Sequence, residues 1–322
     1  MVDAAGTKFY SLSRNLITNL ATSMNNYFSA DIIDYMLDER GTQEMKKKSF
    51  IIVLTVILVL ALALTGCATQ KPADDPKPND QAQDTSWDDI KARGYFTVGL
   101  DDSFPPMGFR DEKGEIVGFD IDMAKKAAEK MGVEAKFQPV VWSGVIMELN
   151  NKNIDLIWNG MTITDERKAA IAITKPYLAN KQIIVVQKDS AIKTKADLVG
   201  KRIAVQAGSS AVGAVKKDEA AFNSLKEMVE FPNNTEALMD LAAGRVDAVV
   251  VDEVVGRYYV SMKAELYSIL EDNFGEEEYG IGVRKSDEAF LAELQKALDT
   301  MNTDGSAKEI SEKWFGLDIV LK

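Results

Sequence analysis

The stretch 154–168, IDLIWNGMTITDERK, holds the densest set of residues able to receive a small anion. It reads as a short apolar strand over 154–158, a tight turn at Asn159-Gly160 and a helix opening at Thr164, with Arg167 in its first turn. Backbone N–H groups at a helix start and the planar guanidinium fork both favour a carboxylate. Taken alone, the segment is equally compatible with a surface arginine beside an ordinary helix cap. Three other apolar strands shift the balance, because each also ends in polar residues. Asp101-Asp102-Ser103-Phe104 follow Leu100, Gln206-Ala207-Gly208-Ser209-Ser210 follow Val205 and open a helix, and Asp252 follows Val251. In open α/β sheets, ligands bind just beyond the C-terminal ends of the strands.

The collected set suits a zwitterion. Arg167 and the helix-start N–H groups would take an α-carboxylate, and Asp252 an α-ammonium. Phe104 and Trp142 would flank the side chain, with Asn159, Gly160, Met161 and Thr162 beneath it. Each residue also has a plain structural explanation. Asp252 can end a strand, Ser209 and Ser210 are good helix N-caps with or without a ligand, and single aromatics are usually core. Their conjunction is the informative feature.

The elements that must position these residues alternate in type. Strands are expected over 96–100, 135–140, 154–158, 182–187, 202–205 and 247–251, and helices over 121–131, 144–150, 210–217, 235–243, 287–300 and 307–314. This alternation predicts an α/β architecture with mainly parallel sheets. The near-continuous apolar strands (IDLIW, IAV, DAVVV) suit sheets covered on both faces.

Composition narrows the chemistry. The chain has no histidine and one cysteine, which removes His-based triads and makes zinc sites and thiol chemistry poor candidates; no cofactor or metal is expected. Residues 1–66 carry six acidic and six basic side chains, so the net charge of −12 belongs to the remainder. An acidic surface argues against nucleic acid as a partner. Lys46-Lys47-Lys48, the apolar run 50–64 and Leu64-Thr65-Gly66-Cys67 read as a secretory signal; a mature membrane span needs roughly 20 apolar residues. Residues 1–44 do not fit a signal that starts at Met45, so Met45 is the expected initiator and the preceding extension is of uncertain translation; a cytoplasmic extension is the alternative. Residues 68–86, rich in Pro, Asp, Gln and Lys, read as a flexible tether spanning about 25 Å.

GFDIDMAKKAAEKMGV at 118–133, VVWSGVIMELNNKNIDLIWNGMTITDERK at 140–168 and Pro176-Tyr177 resemble bacterial extracellular solute-binding proteins of amino-acid ABC transporters. AVQAGSS at 204–210, GRVDAVVVD at 244–252 and YGIGVRK at 279–285 continue the resemblance in order, so that it covers 87–322. It implies a two-lobed periplasmic-binding-protein-like fold (type II) with two crossovers, lobe one at 87–178 plus 279–322 and lobe two at 179–278. By the same resemblance, Arg167 matches the carboxylate-binding arginine, Asp252 the ammonium-binding aspartate, and Ser209 and Ser210 the second-lobe hydroxyls that meet the carboxylate. Gly160 and Thr162 match first-lobe contacts, and Trp142 and Phe104 the aromatic positions. Asp101, with Asp102 as its neighbour and alternative, matches a position that recognises basic side chains in some relatives. Asn159 stands where small residues are common. The LTGC ending resembles a lipobox, which implies that 45–66 is removed and that Cys67 is lipidated, holding a monomer at the outer face of the cytoplasmic membrane.

The function implied is capture of an amino acid, polar or basic in side chain, and delivery to a transmembrane permease and its ATPase. Two rivals share the scaffold: a dehydratase acting on cyclic amino-acid precursors, which needs a carboxylic acid in the cleft, and a ligand-sensing subunit of a receptor.

Overall fold

A computed structural model describes residues 84–322. The extension 1–44, the signal segment, Cys67 and most of the tether lie outside the described residues. The chain enters through α1 (Ser86–Arg93) and passes into β1 (Tyr95–Leu100). A small antiparallel sheet of β2 (Ser103–Phe104), β3 (Gly108–Arg110) and β4 (Ile116–Val117) leads to α2 (Phe119–Met131). Ala124, Ala127, Ala128 and Met131 face the core from α2, and Gly132, in the left-handed conformation, ends it by donating its N–H to Ala128 O. β5 (Glu134–Pro139), a 3₁₀ turn at Trp142–Gly144, α3 (Val145–Asn150), β6 (Leu156–Ile157), α4 (Asp165–Ala170) and β7 (Ala172–Ile173) follow. The first sheet has the order β5-β1-β6-β13-β7, with β13 (Gly282–Val283) inserted from much later in the chain.

The second lobe begins on β8 (Leu178–Gln187) and continues through β9 (Arg202–Gln206), α5 (Ser210–Lys217), α6 (Glu219–Ser224) and β10 (Glu227–Phe231). α7 (Asn234–Ala242), β11 (Ala248–Asp252), α8 (Glu253–Met262) and β12 (Tyr267–Tyr279) complete it. Its sheet has the order β10-β9-β11-β8-β12. Only β13 in the first sheet and β8 in the second run against the other strands. The chain then closes on the first lobe with α9 (Glu288–Asp304) and α10 (Ser306–Phe315).

Alternation along β8 explains why that strand is central. Ile183 and Val185 enter one hydrophobic cluster, while Ile184 and Val186 enter another on the opposite face. Its first residues, Leu178 to Gln182, are polar by turns and pair with the end of β12 (Leu178↔Tyr279, Asn180↔Glu277), so this two-stranded ribbon joins the lobes. β12 is absent from the strands anticipated in sequence. Its acidic run and Gly275 break the apolar pattern, and its register shifts between Ile269 and Asn273 and again before Glu276. β6 is shorter than anticipated because only Leu156 and Ile157 meet a neighbouring strand on both sides.

The lobes approach closely at Gly208, where an added Cβ would lie 2.7 Å from Ser143 Cα across the cleft. Gly208 also has φ +72°, a conformation that side chains disfavour. Gly208→Ala is therefore expected to hold the lobes apart. Small-angle X-ray scattering should give the variant a larger radius of gyration than the wild type, with helix content by circular dichroism unchanged.

Candidate functional site

Residues from both sheets converge where the lobes meet. Phe104, Trp142, Gly160, Thr162 and Arg167 face Gln206, Ser209, Ser210 and Asp252 around a cavity of about 10 Å³. That is room for about one water, so nothing of amino-acid size enters unless the lobes part. Two larger hollows, of about 760 and 480 Å³, lie elsewhere and lack this convergence of buried charge.

Arg167 is set by α4. Thr164 caps the helix by accepting the Arg167 N–H at 3.1 Å, which turns the guanidinium towards the cleft. Nη1 donates to Thr162 O at 2.7 Å in its own lobe and Nη2 to Gly208 O at 3.2 Å in the other. The indole of Trp142 lies 5.7 Å from the guanidinium carbon, within cation–π range. Among the described residues Arg167 forms no ion pair, although only 8% of it is exposed. Burial pushes its pKa below the usual value, and the Asp252 and Glu277 carboxylates pull it partly back.

Asp252 ends β11 directly opposite Gln182 of β8. Its Oδ1 accepts from Asn180 Nδ2 at 2.6 Å, Tyr279 OH at 2.8 Å and Gln182 Nε2 at 3.0 Å. Asn180 and Gln182 are two residues apart on one strand, so both amides share a face. Burial, followed by the charge of Glu277, raises Asp252 from 3.8 to about 7; hydrogen bonds from Tyr279 and Asn180 and the charge of Arg167 oppose the rise. The same burial holds the Tyr279 phenol well above its ordinary value.

The remaining anticipated residues divide. Asp101 is buried: Oδ1 accepts from Ser103 N at 2.9 Å and Ser103 Oγ at 2.6 Å, and Oδ2 from Gln206 Nε2 of the other lobe at 2.6 Å. Asp102 instead turns to Arg110 at 2.6 Å, so of the two neighbours Asp101 is the one at the lobe interface. Asn159 Oδ1 accepts the Asp101 N–H at 3.0 Å and fixes that turn. Ser210 Oγ lies 3.0 Å from Thr162 Oγ1 across the cleft. Ser209 caps α5 by position only; its hydroxyl is shielded from water and has no partner among the described residues.

Gly160 and Met161 differ from expectation. The Gly160 N–H donates at 2.7 Å to Asp120 Oδ2, inside its own lobe, rather than into the cleft. Gly160 has φ +57°, and an added Cβ would lie 2.9 Å from Phe104. Met161 is fully buried among Val145, Leu149, Ile157 and Ile171, because successive residues of the extended segment point to opposite faces. It does not line the cavity.

Gln206 was anticipated only as a polar residue following a strand, while Asn180, Gln182, Glu277, Tyr279 and the buried pair Asp120–Tyr177 were given no role in the site from sequence. A visible signal existed for Asn180 and Gln182, two amides at alternate positions opening an apolar strand. Glu277, inside Glu276-Glu277-Glu278, has none.

With this geometry established, residues 96–317 match the family described as bacterial extracellular solute-binding proteins, family 3. The chain belongs to that family. The family 3 chain is 31% identical over 232 residues to the L-cystine-binding protein TcyJ of Escherichia coli K12, covering 71% of this chain and 86% of that protein. It is 33% identical over 237 residues to the L-arginine-binding protein of Pseudomonas aeruginosa, covering 69% and 88%. Among solved structures, an ABC uptake transporter substrate-binding protein from Streptococcus pneumoniae with bound histidine superposes with TM-score 0.72 at 35% identity, covering 74% of this chain and 99% of that one. The two sheets, family 3 membership and this structural neighbour identify a two-lobed, type II fold.

Asp120 and Asp252 both stand near 7 when folded, against 3.8 as an ordinary value. The folded chain thus keeps protons that the unfolded chain releases. Their contribution to stability is complete below about pH 4 and is lost as pH rises towards 7, by up to ~1.4 kcal/mol per pH unit for each group. Asp120→Asn removes one titration while keeping an acceptor for Gly160. Urea unfolding at pH 5 and pH 8 should therefore show a smaller loss of stability with pH in Asp120→Asn than in the wild type.

Proposed function

We propose that this protein captures an amino acid outside the cytoplasmic membrane and delivers it to an ABC permease, binding by closure of its two lobes. The observation that carries this reading is the buried, unpaired guanidinium of Arg167 bridging the lobes while Asp252 stands opposite. An α-carboxylate would pair with Arg167 and the free hydroxyl of Ser209, and an α-ammonium with Asp252. Gly160, Thr162, Ser210, Phe104 and Trp142 would form the walls, with Asn159 behind them holding the Asp101 turn. In this reading lobe one is 87–178 plus 279–322, lobe two is 179–278, Cys67 carries the lipid anchor, and the protein works as a monomer.

Charge favours a basic side chain. The cleft sets one cation, Arg167, against the carboxyl groups of Asp101, Asp252 and Glu277. A neutral zwitterion leaves that imbalance unchanged, whereas a second cation on the ligand reduces it. The cation would reach Asp101 by displacing Gln206 from Oδ2. Relatives named for cystine and arginine and a neighbour holding histidine support the amino-acid class without choosing its side chain.

Energetically, micromolar capture needs about 8 kcal/mol, or ~0.8 kcal/mol per atom for a ligand of about ten heavy atoms. That is high enough to require both charged ends. Ion pairs exposed to water contribute about 0–1 kcal/mol, so closure, which removes water, is part of binding.

The rival reading is a dehydratase, which the binding-protein relatives do not favour. A carboxyl held protonated near neutrality, as at Asp252, is what a dehydratase would use as its acid. Incubation with L-arogenate, followed by absorbance of phenylalanine, separates the two; product formed by wild type but not by Asp252→Asn would replace the binding reading.

Isothermal titration of the purified protein, freed of ligand by unfolding and refolding, against the twenty amino acids and cystine tests capture directly. One or a few ligands at micromolar affinity are expected. Arg167→Ala should then lose affinity by roughly 30-fold to several-thousand-fold, the range for leaving one charge of a buried pair alone. Its circular dichroism should match the wild type. Retained affinity in the folded variant would remove Arg167 from the site.

A further inference from the structure

Glu277 belongs to none of the recognised ligand contacts, yet it lies at the centre of the hydrogen bonding beneath the cleft. It sits on β12 directly opposite Asn180, as Asp252 sits on β11 directly opposite Gln182. The two carboxyl groups thus flank β8 on one face of the sheet and share its two amides. Glu277 Oε2 lies 3.0 Å from Asn180 Nδ2 and 2.9 Å from Gln182 Nε2, the same nitrogens that reach Asp252. It also accepts from Thr162 Oγ1 of the first lobe at 2.9 Å, and Ser210 Oγ of the second lobe is 3.2 Å away.

A donor count makes this arrangement self-consistent. Each amide has two hydrogens and gives one to each carboxyl group. Thr162 has one hydrogen, which goes to Glu277, and its oxygen accepts from Ser210. Each carboxyl group then receives three donors on a single oxygen, with Tyr279 supplying the third to Asp252. Three of the donors to Glu277 and Asp252 stand on the ribbon joining the lobes, and only Thr162 arrives from the first lobe.

We propose that Glu277 is a positioning residue of the clamp, a hinge-mounted carboxylate that receives Thr162 when the lobes close and shares with Asp252 the amides that hold it. Closure then aligns Thr162 and Ser210 against each other at the floor of the cleft. The negative charge of Glu277 also acts on Asp252 through the shared amides and sets how readily Asp252 ionises to meet an ammonium. The other charged or titratable groups facing the pair are Arg167 from α4 and Tyr279 from β12. Lys181, between the two amides, points to the opposite face and pairs with Glu253 at 3.4 Å.

The inference rests on the clamp reading for its second test only. The first test needs no ligand: full-length protein carrying ¹³C-carboxyl aspartate is titrated by NMR, with Asp252 assigned through Asp252→Asn. In Glu277→Gln, which keeps size and an acceptor but removes the charge, Asp252 should titrate at least one pH unit lower than in the wild type. An unchanged titration overturns the proposal, whatever the protein binds. The second test measures L-arginine affinity between pH 5 and pH 9. Wild-type affinity should rise with pH and level off near 7, Glu277→Gln should level off at lower pH, and Glu277→Ala should bind at least tenfold more weakly throughout. Glu277→Ala with wild-type affinity and pH profile would also overturn the proposal. A wild type that ignores L-arginine counts against the basic-ligand reading, and the NMR titration alone then decides the role of Glu277.

Discussion

A guanidinium withdrawn from water, with no ion pair among the described residues, is the interaction on which the rest of the cleft depends. Arg167 donates to carbonyl oxygens of both lobes, Thr162 O and Gly208 O. Carbonyl dipoles satisfy the geometry of the fork but not its charge, and a buried charge without a partner is expensive. In the nearly cavity-free cleft that cost is offset only in part, by the nearby carboxyl groups of Asp252 and Glu277. Exclusion of water where the lobes meet strengthens every electrostatic contact made there.

The hinge meets the opposite problem. Asp252 and Glu277 bring two carboxyl groups to one face of the same sheet, and like charges so placed resist joint ionisation. The sheet accommodates them through register. Asn180 and Gln182, alternate residues of β8, stand opposite Glu277 and Asp252 and bridge them. What remains is a carboxyl group that holds its proton to about 7, a state that changes when a cation approaches. The first lobe repeats the device in a structural role: Tyr177 donates to the buried Asp120, which in turn holds the Gly160 N–H and the turn that carries the cleft floor.

Gly208 decides how closely the two halves come together, and Gly160 how closely the first lobe packs beneath the cleft. Gly208 has backbone of the other lobe where its side chain would be, and Gly160 has the Phe104 and Tyr279 rings. Both adopt positive φ. Bulk at Gly208 would separate the lobes, whereas bulk at Gly160 would disturb packing inside the first lobe.

Much was legible in the sequence because its signals are local. Apolar runs mark β1, β9 and β11, alanine spacing followed by Gly132 marks α2, and the small polar residues after each strand mark the cleft. The turn at Asn159-Gly160 and the Thr164 cap place Arg167 correctly from a dozen residues of sequence. The place of the hinge came from the family resemblance alone, and its strand pairing was not legible. β12 carries no strand pattern, since its acidic residues and Gly275 are tolerated by pairing with β8 rather than by burial of its own. The importance of Glu277 over Glu276 or Glu278, of Asp101 over Asp102, and the turn of Met161 into the core follow from which face of an extended segment meets a neighbour far away in the chain. Sequence alone determined which residue types gather at strand ends, because propensity and periodicity act over a few residues. Tertiary structure alone decided which carboxyl groups share a pair of amides, because register between β8, β11 and β12 is set by contacts across about sixty to a hundred residues of chain.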